Sequence, residues 1–185
     1  MGYVAILLAD GFEEVEALLP CDFLRRADIP VKLVSITDNE QVEGSHGIKV
    51  VCDLHLADIQ HSDISAVIVP GGMPGSTKLA ENSAVIDCLN HVYTNNKWVA
   101  GICASPTVVL SKTNFFAGKY FTCTPSQRDK TEHRSFYKEE DVVIDGYMIT
   151  SRGPGTTAAF THAIITKLAS KEIADNLFTR ALFTL

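Results

Sequence analysis

Three stretches of the chain are apolar at every position rather than at every second one: Val4-Ala5-Ile6-Leu7-Leu8-Ala9, Ala66-Val67-Ile68-Val69 and Trp98-Val99-Ala100-Gly101-Ile102. A strand with one wet face alternates. A strand that is apolar throughout is buried on both faces, which is the situation of a parallel sheet sandwiched between helices. Each run is ended by a turn signal, Asp10-Gly11, Pro70-Gly71-Gly72 and Cys103 respectively, and helical patterning follows each turn. Further short strands are predicted at Val31–Ile36, Ile48–Cys52, Tyr120–Cys123, Val142–Asp145 and Met148–Ser151, the last two joined by an Asp145-Gly146 hairpin turn. Strands alternating with helices give an α/β chain of the doubly wound class, with a mostly parallel sheet and helices on both faces. The length of 185 residues suits one domain, 1–185.

The first helix should begin near Glu13, Glu14 and Glu16, where the dipole favours negative charge, and close on Arg25 and Arg26; Pro20 inside it predicts a kink or a bent entry. Helical segments follow near Lys78–Ala80, over Ala84–Tyr93, from Ser105 towards Leu110, over Ala158–Leu168 and from Lys171 towards Leu182. A formal charge of -6 argues against nucleic acid and anionic lipid as partners. Met1–Val4 carries neither the basic start of a secretory signal nor a myristoylation pattern, and no apolar run approaches a membrane span. The five cysteines are odd in number, widely spaced and free of C-x-x-C, which favours a reducing, cytoplasmic setting and disfavours structural zinc.

In a doubly wound sheet, ligands bind beyond the carboxyl ends of the strands. The turns at Asp10-Gly11, Gly71-Gly72 and Cys103 all belong to that edge. Cys103 itself ends a buried strand among small residues, Gly101, Ala104 and Ser105, and a helix follows, which reads as a nucleophile elbow. Amides at such a turn should favour thiolate over thiol, although an inert core cysteine has the same residue type. Glu16, framed by Val15 and Ala17, is the acidic residue expected to point inward as a carboxyl partner with a raised pKa, its neighbours Glu13 and Glu14 being surface charge. Backbone N–H groups of Gly71 or Gly72 on one side and of Ala104 on the other are the candidate oxyanion donors, though the glycine pair could equally be a plain turn.

No histidine adjoins Cys103 among the six, so a Cys-His pair is neither indicated nor excluded. No metal-ligand spacing is present, and the Gly71-Gly72-Met73-Pro74-Gly75 loop lacks the Gly-Lys-Ser/Thr of a phosphate loop. Neither a metal nor an organic cofactor is expected. Arg152 could bind an anion or a carboxylate across a subunit contact, or could simply be solvated.

Four segments taken together, Gly11-Phe12-Glu13-Glu14-Val15-Glu16, Val69-Pro70-Gly71-Gly72, Ala100-Gly101-Ile102-Cys103-Ala104 and Thr150-Ser151-Arg152-Gly153-Pro154-Gly155-Thr156, resemble the ThiJ/PfpI superfamily in its Parkinson-disease-protein-like branch. The match runs from the first strand to the final helix with the motifs in order. It implies a flavodoxin-like fold, a homodimer, a reactive Cys103 partnered by Glu16, and an oxyanion site at Gly72 and Ala104. Arg26 and His46 join Arg152 as candidate anion or dimer contacts, His46 standing where relatives often carry an arginine. Two departures matter. Ala104 follows the cysteine where the intracellular-protease branch has a histidine, which disfavours peptidase chemistry. Thr124 precedes Pro125 where the resembled branch often has histidine. The implied activity is a cofactor-independent glyoxalase or deglycase acting on small α-oxoaldehydes or their adducts. The alternatives are a non-catalytic redox sensor or chaperone with an oxidisable cysteine, and, with less behind it, a cysteine hydrolase.

Overall fold

In the computed structural model, which describes residues 2–183, the elements are β1 (Tyr3–Leu8), α1 (Glu14–Arg26), β2 (Val31–Ser35), β3 (Gln41–Glu43), β4 (Lys49–Val51), β5 (Leu54–His55), β6 (Ile64–Val69), α2 (Gly75–Glu81), α3 (Ser83–Thr94), β7 (Trp98–Ile102), α4 (Ser105–Val108), α5 (Pro125–Arg128), β8 (Val142–Asp145), β9 (Met148–Ser151), α6 (Thr157–Leu168) and α7 (Lys171–Arg180). A seven-stranded sheet has the order β5-β2-β1-β6-β7-β9-β8. Every neighbouring pair in it is parallel except β8 and β9, the hairpin turned at Gly146.

The unalternating runs are explained by two separate cores. Val4, Ile6 and Leu8 of β1 face a layer built with Ala17 and Phe23 of α1 and Phe160 and Ile164 of α6. Ala5 and Leu7 face the opposite layer, with Leu79 of α2 and Val85, Leu89 and Val92 of α3. The same split puts Ala66 and Ile68 of β6 on the first side and Val67 and Val69 on the second. Period-2 geometry sends successive side chains to opposite faces, so two dry faces require an unbroken apolar run. β1, β6 and β7 run side by side in one direction, and the turns that follow them meet at one edge.

Several local expectations are corrected. Tyr120–Cys123 is no strand; it makes a single bridge from Phe121 to Tyr137. Two of its backbone donors are taken by side chains, Tyr120 N–H by Asp145 and Thr122 N–H by Thr150 Oγ1, while Phe121 N–H donates to the Phe136 carbonyl. The stretch at Ile48–Cys52 contributes β4 to a separate two-stranded sheet with β3, outside the main sheet, and the two-residue β5 supplies the edge. The helix expected from Ser105 to Leu110 stops at Val108 and continues as a 3-10 turn. α1 runs without a break through Pro20, which has no N–H to give to the Glu16 carbonyl one turn earlier.

Candidate active site

At the end of β7 the chain must reverse into α4 within two residues, and Cys103 takes the strained conformation there, with φ 64. A non-glycine residue in left-handed backbone persists only where its surroundings hold it, and such strain collects at functional turns. Here the Cys103 N–H donates to the Ser151 carbonyl at 3.0 Å, and the Cys103 carbonyl accepts from Thr124 N–H at 2.9 Å. The backbone N–H groups of Ala104 and Gly72 lie by the sulfur and favour its charged form. Gly71 has to lack a side chain, because a Cβ there would stand 2.6 Å from Cys103 Cβ and 2.7 Å from Glu16 Oε2. Gly153 lines another side, its notional Cβ 4.0 Å from the sulfur.

Glu16 reaches this point from α1, which follows the first of the three turns, Asp10-Gly11. Glu13 N–H donates to the Gly71 carbonyl at 2.9 Å, pinning the start of α1 to the loop after β6. Gly71 N–H in return donates to Glu16 Oε2 at 2.7 Å. The carboxyl is fully buried, and its other oxygen, Oε1, has no hydrogen-bond partner. Burial pushes the Glu16 carboxyl up to about 7, against the opposing pull of the Gly71 N–H and the neighbouring thiol. Burial and then the Glu16 charge push the Cys103 thiol up to about 12, against the two amides. The lowering of the thiol pKa expected from an elbow is therefore present in its donors and outweighed by burial beside a carboxylate. An ionised Glu16 keeps the sulfur protonated, and a protonated Glu16 removes that repulsion, so the two groups titrate as a pair around one shared proton.

The chain as a whole, sheet order and cysteine turn included, can be compared with known proteins. A model of the DJ-1/PfpI family matches residues 3–167. The chain belongs to this family. It is 38% identical to protein dj-1beta of Drosophila melanogaster over 168 residues, covering 90% of this chain and 89% of that protein. A Caenorhabditis elegans relative named glutathione-independent glyoxalase DJR-1.2 is 32% identical, with 93% of this chain and 91% of the relative covered. The structure of oxidized Toxoplasma gondii DJ-1 superposes with a TM-score of 0.94 at 29% identity, over the whole of both chains.

Around Cys103 the remaining candidates divide. Gly71, read as an oxyanion donor, has its N–H committed to Glu16, so Gly72 and Ala104 are the amides left facing the sulfur. Glu14, read as surface charge, is buried because the β3–β4 hairpin folds over it: His46 N–H donates to Oε1 at 2.6 Å and His46 Nδ1 lies 2.8 Å from Oε2. Burial alone would raise the Glu14 carboxyl, but these bonds from His46 hold it down at about 2. His46 is raised in turn by its bond to Glu14 and by the Glu13 charge. Glu13, Glu14 and His46 thus bring donor atoms within 4.8 Å of one another, a grouping of cation-holding residue types that sequence spacing does not reveal, and they spend those atoms on one another and on Ser45.

Arg26 and Arg152 lie apart from the sulfur. Arg26 is ten residues beyond Glu16 on α1, roughly 15 Å along the axis, and pairs with Asp22 at 2.9 Å. Arg152 follows the Ser151 carbonyl that holds Cys103, yet its guanidinium turns to Glu139 at 3.5 Å and Asp141 at 4.0 Å. Every histidine is placed elsewhere: His46 on Glu14, His55 on the Thr37 carbonyl, His61 against His91, His133 against Phe116, and His162 on Asp175. Ser151 and Gly153 belong to the Thr150–Thr156 motif that carries the resemblance, and Thr124 stands where the resembled branch often has a histidine; the structure adds that Ser151 and Thr124 hold the Cys103 backbone and that Gly153 borders the sulfur.

Proposed function

We propose that this chain is a cofactor-independent glyoxalase acting on small α-oxoaldehydes such as methylglyoxal, or on their early adducts, with Cys103 as nucleophile and Glu16 as the proton-transferring base. The observation that carries the reading is the buried Glu16 carboxyl, anchored by one oxygen to Gly71 N–H and set beside Cys103 with its second oxygen unpartnered. A base near neutrality is what proton abstraction from carbon calls for, and burial puts Glu16 at about 7. The glyoxalase name of the nematode relative supports the same activity class.

The steps balance without an external redox partner. Cys103 sulfur adds to the aldehyde carbon of methylglyoxal, forming the C–S bond, and the thiol proton ends on the former aldehyde oxygen as a hemithioacetal. Glu16 removes the hydrogen from that carbon, and the electron pair moves into an enediolate whose oxygen the Gly72 and Ala104 amides can hold. Glu16 returns the proton to the adjacent carbon, leaving a thioester of lactate. Water cleaves the C–S bond, releasing lactate and restoring the thiol.

Among the described residues no helix is long and apolar enough to cross a membrane. The proposal includes a homodimer in a reducing cytoplasm. The cysteines are all free, and Val15 at the start of α1, Ile48 just before β4 and Val51 at its end leave apolar side chains exposed. The test is conversion of methylglyoxal to lactate without glutathione by the wild type, Cys103→Ser and Glu16→Ala. Both variants should lose activity by roughly a hundredfold or more, and wild-type turnover in either would overturn the mechanism. A second reading, oxidation sensing, is favoured by the two amides beside the sulfur. A sulfinate on Cys103 would find donors in Gly72, Ala104 and a protonated Glu16.

A further inference from the structure

Behind the loop that anchors Glu16 lies a chain of buried hydroxyls that the proposed mechanism does not use. Ser76 on α2 and Ser105 at the start of α4 are both fully buried. The Ser105 hydroxyl donates to the Pro70 carbonyl. Ser76 Oγ and Ser105 Oγ are 3.3 Å apart, and because the Ser105 hydrogen is spent on Pro70, Ser76 is the donor between them. The Pro70 carbonyl and the Gly71 N–H are the two ends of one peptide group, and that N–H donates to Glu16 Oε2 at 2.7 Å. Every donor points the same way: Ser76 to Ser105, Ser105 to the Pro70–Gly71 peptide, and the peptide to the carboxyl beside Cys103.

In a water-poor interior, hydrogen bonds in series polarise one another. A hydroxyl on the carbonyl end of a peptide draws density from its nitrogen and makes the N–H a stronger donor. We propose that Ser105, backed by Ser76, is a positioning residue for Glu16: its hydroxyl orients and polarises the Pro70–Gly71 peptide so that the Gly71 N–H holds the carboxyl against Cys103. The proposal rests on the reading of Glu16 as the base. The charged or titratable groups facing Glu16 are Cys103 from the elbow and Glu13 from the start of α1, and Ser105 variants alter neither. Losing the Ser105 hydroxyl weakens a bond to the ionised carboxyl, so the first proton of the Glu16–Cys103 pair leaves at higher pH.

The test compares full-length wild type, Ser105→Ala, Ser105→Thr and Ser76→Ala by two readouts. The first is the pH dependence of iodoacetamide alkylation at Cys103, located by peptide mass, which needs no turnover. The second is kcat and KM for methylglyoxal. In Ser105→Ala the alkylation midpoint should rise by roughly half a pH unit, and kcat at neutral pH should fall roughly threefold or more with KM within about twofold. Ser76→Ala should move the midpoint the same way by less, and Ser105→Thr, which keeps the hydroxyl, should return it to the wild-type value. If Ser105→Ala does not fold, the other two variants decide by the same criterion. A wild-type midpoint in both alanine variants overturns the proposal while leaving the glyoxalase reading intact. A shifted midpoint in a protein without methylglyoxal turnover upholds the positioning role and removes the glyoxalase reading.

Discussion

Cys103 and Cys123 are close in the fold, since Thr124 N–H, one residue after Cys123, donates to the Cys103 carbonyl. They pack on opposite sides of the sheet, Cys103 against the layer of α1 and α6 and Cys123 inside the layer of α3. Burial is the largest influence on both thiols, and both are pushed up to about 12. The resting acidity of a cysteine therefore does not separate a reactive sulfur from an inert one here. What separates them is the company of the sulfur: Cys103 faces two amides and a carboxyl able to take its proton, whereas Cys123 has burial with only the more distant influence of Arg128, Arg152 and Asp129.

The largest expected effect tests that distinction directly. Cys123→Ala should keep methylglyoxal turnover within about threefold, because the group lies outside the proton path, while Cys103→Ser loses roughly two orders of magnitude or more. Equal losses in two folded variants would break the comparison. Mild peroxide followed by peptide mass spectrometry should add two oxygens to Cys103 and none to Cys123 or Cys88, both of which are fully buried; comparable oxidation at the three sites would remove the special status of Cys103.

A smaller effect concerns pH and stability. Folded Glu16 holds its proton up to about 7, whereas its ordinary value is 4.5, so between those values the folded state binds more protons than the unfolded one. Stability should decline as pH rises through that window, by on the order of 3 kcal/mol in total. Glu16→Gln keeps an acceptor for Gly71 N–H and cannot ionise, so denaturant titrations at pH 5 and 8.5 should show the decline in wild type and its loss in the variant. Glu14 provides the opposite sign. Its carboxyl is held at about 2, so its contribution is present above 4.5 and is lost as pH falls towards 2. Glu14→Gln should lower the Tm at pH 7 by roughly 2–4 °C, about 1 kcal/mol, with little difference near pH 2. A pH-independent loss would mean that packing of the hairpin, not the carboxylate, is what matters there.

Much of the edge chemistry was legible in the chain because it depends on neighbours in sequence. The small residues around Cys103 mark the elbow, and the apolar frame of Glu16 marks an inward carboxyl. Glu14 was misread because what buries it, the segment from Gly44 to His46, lies some thirty residues away and has no periodic signature. The choice between Gly71 and Gly72 stays open in the sequence for a related reason: a glycine pair offers two N–H groups, and only the position of Glu16 determines which one is taken. The strand expected at Tyr120–Cys123 failed because Asp145 and Thr150, distant in sequence, capture two of its backbone donors.

The sequence by itself determined the layered α/β architecture, since two dry sheet faces demand unbroken apolar strands, and it determined that three turns meet at one edge with a cysteine in the tightest of them. The tertiary structure alone decided how the proton is handled. Hydrogen-bond direction is a property of positions in space, and only the packing of α1, the Gly71 loop and the start of α4 turns separate serines, a peptide group, a carboxyl and a thiol into one line of donors and acceptors.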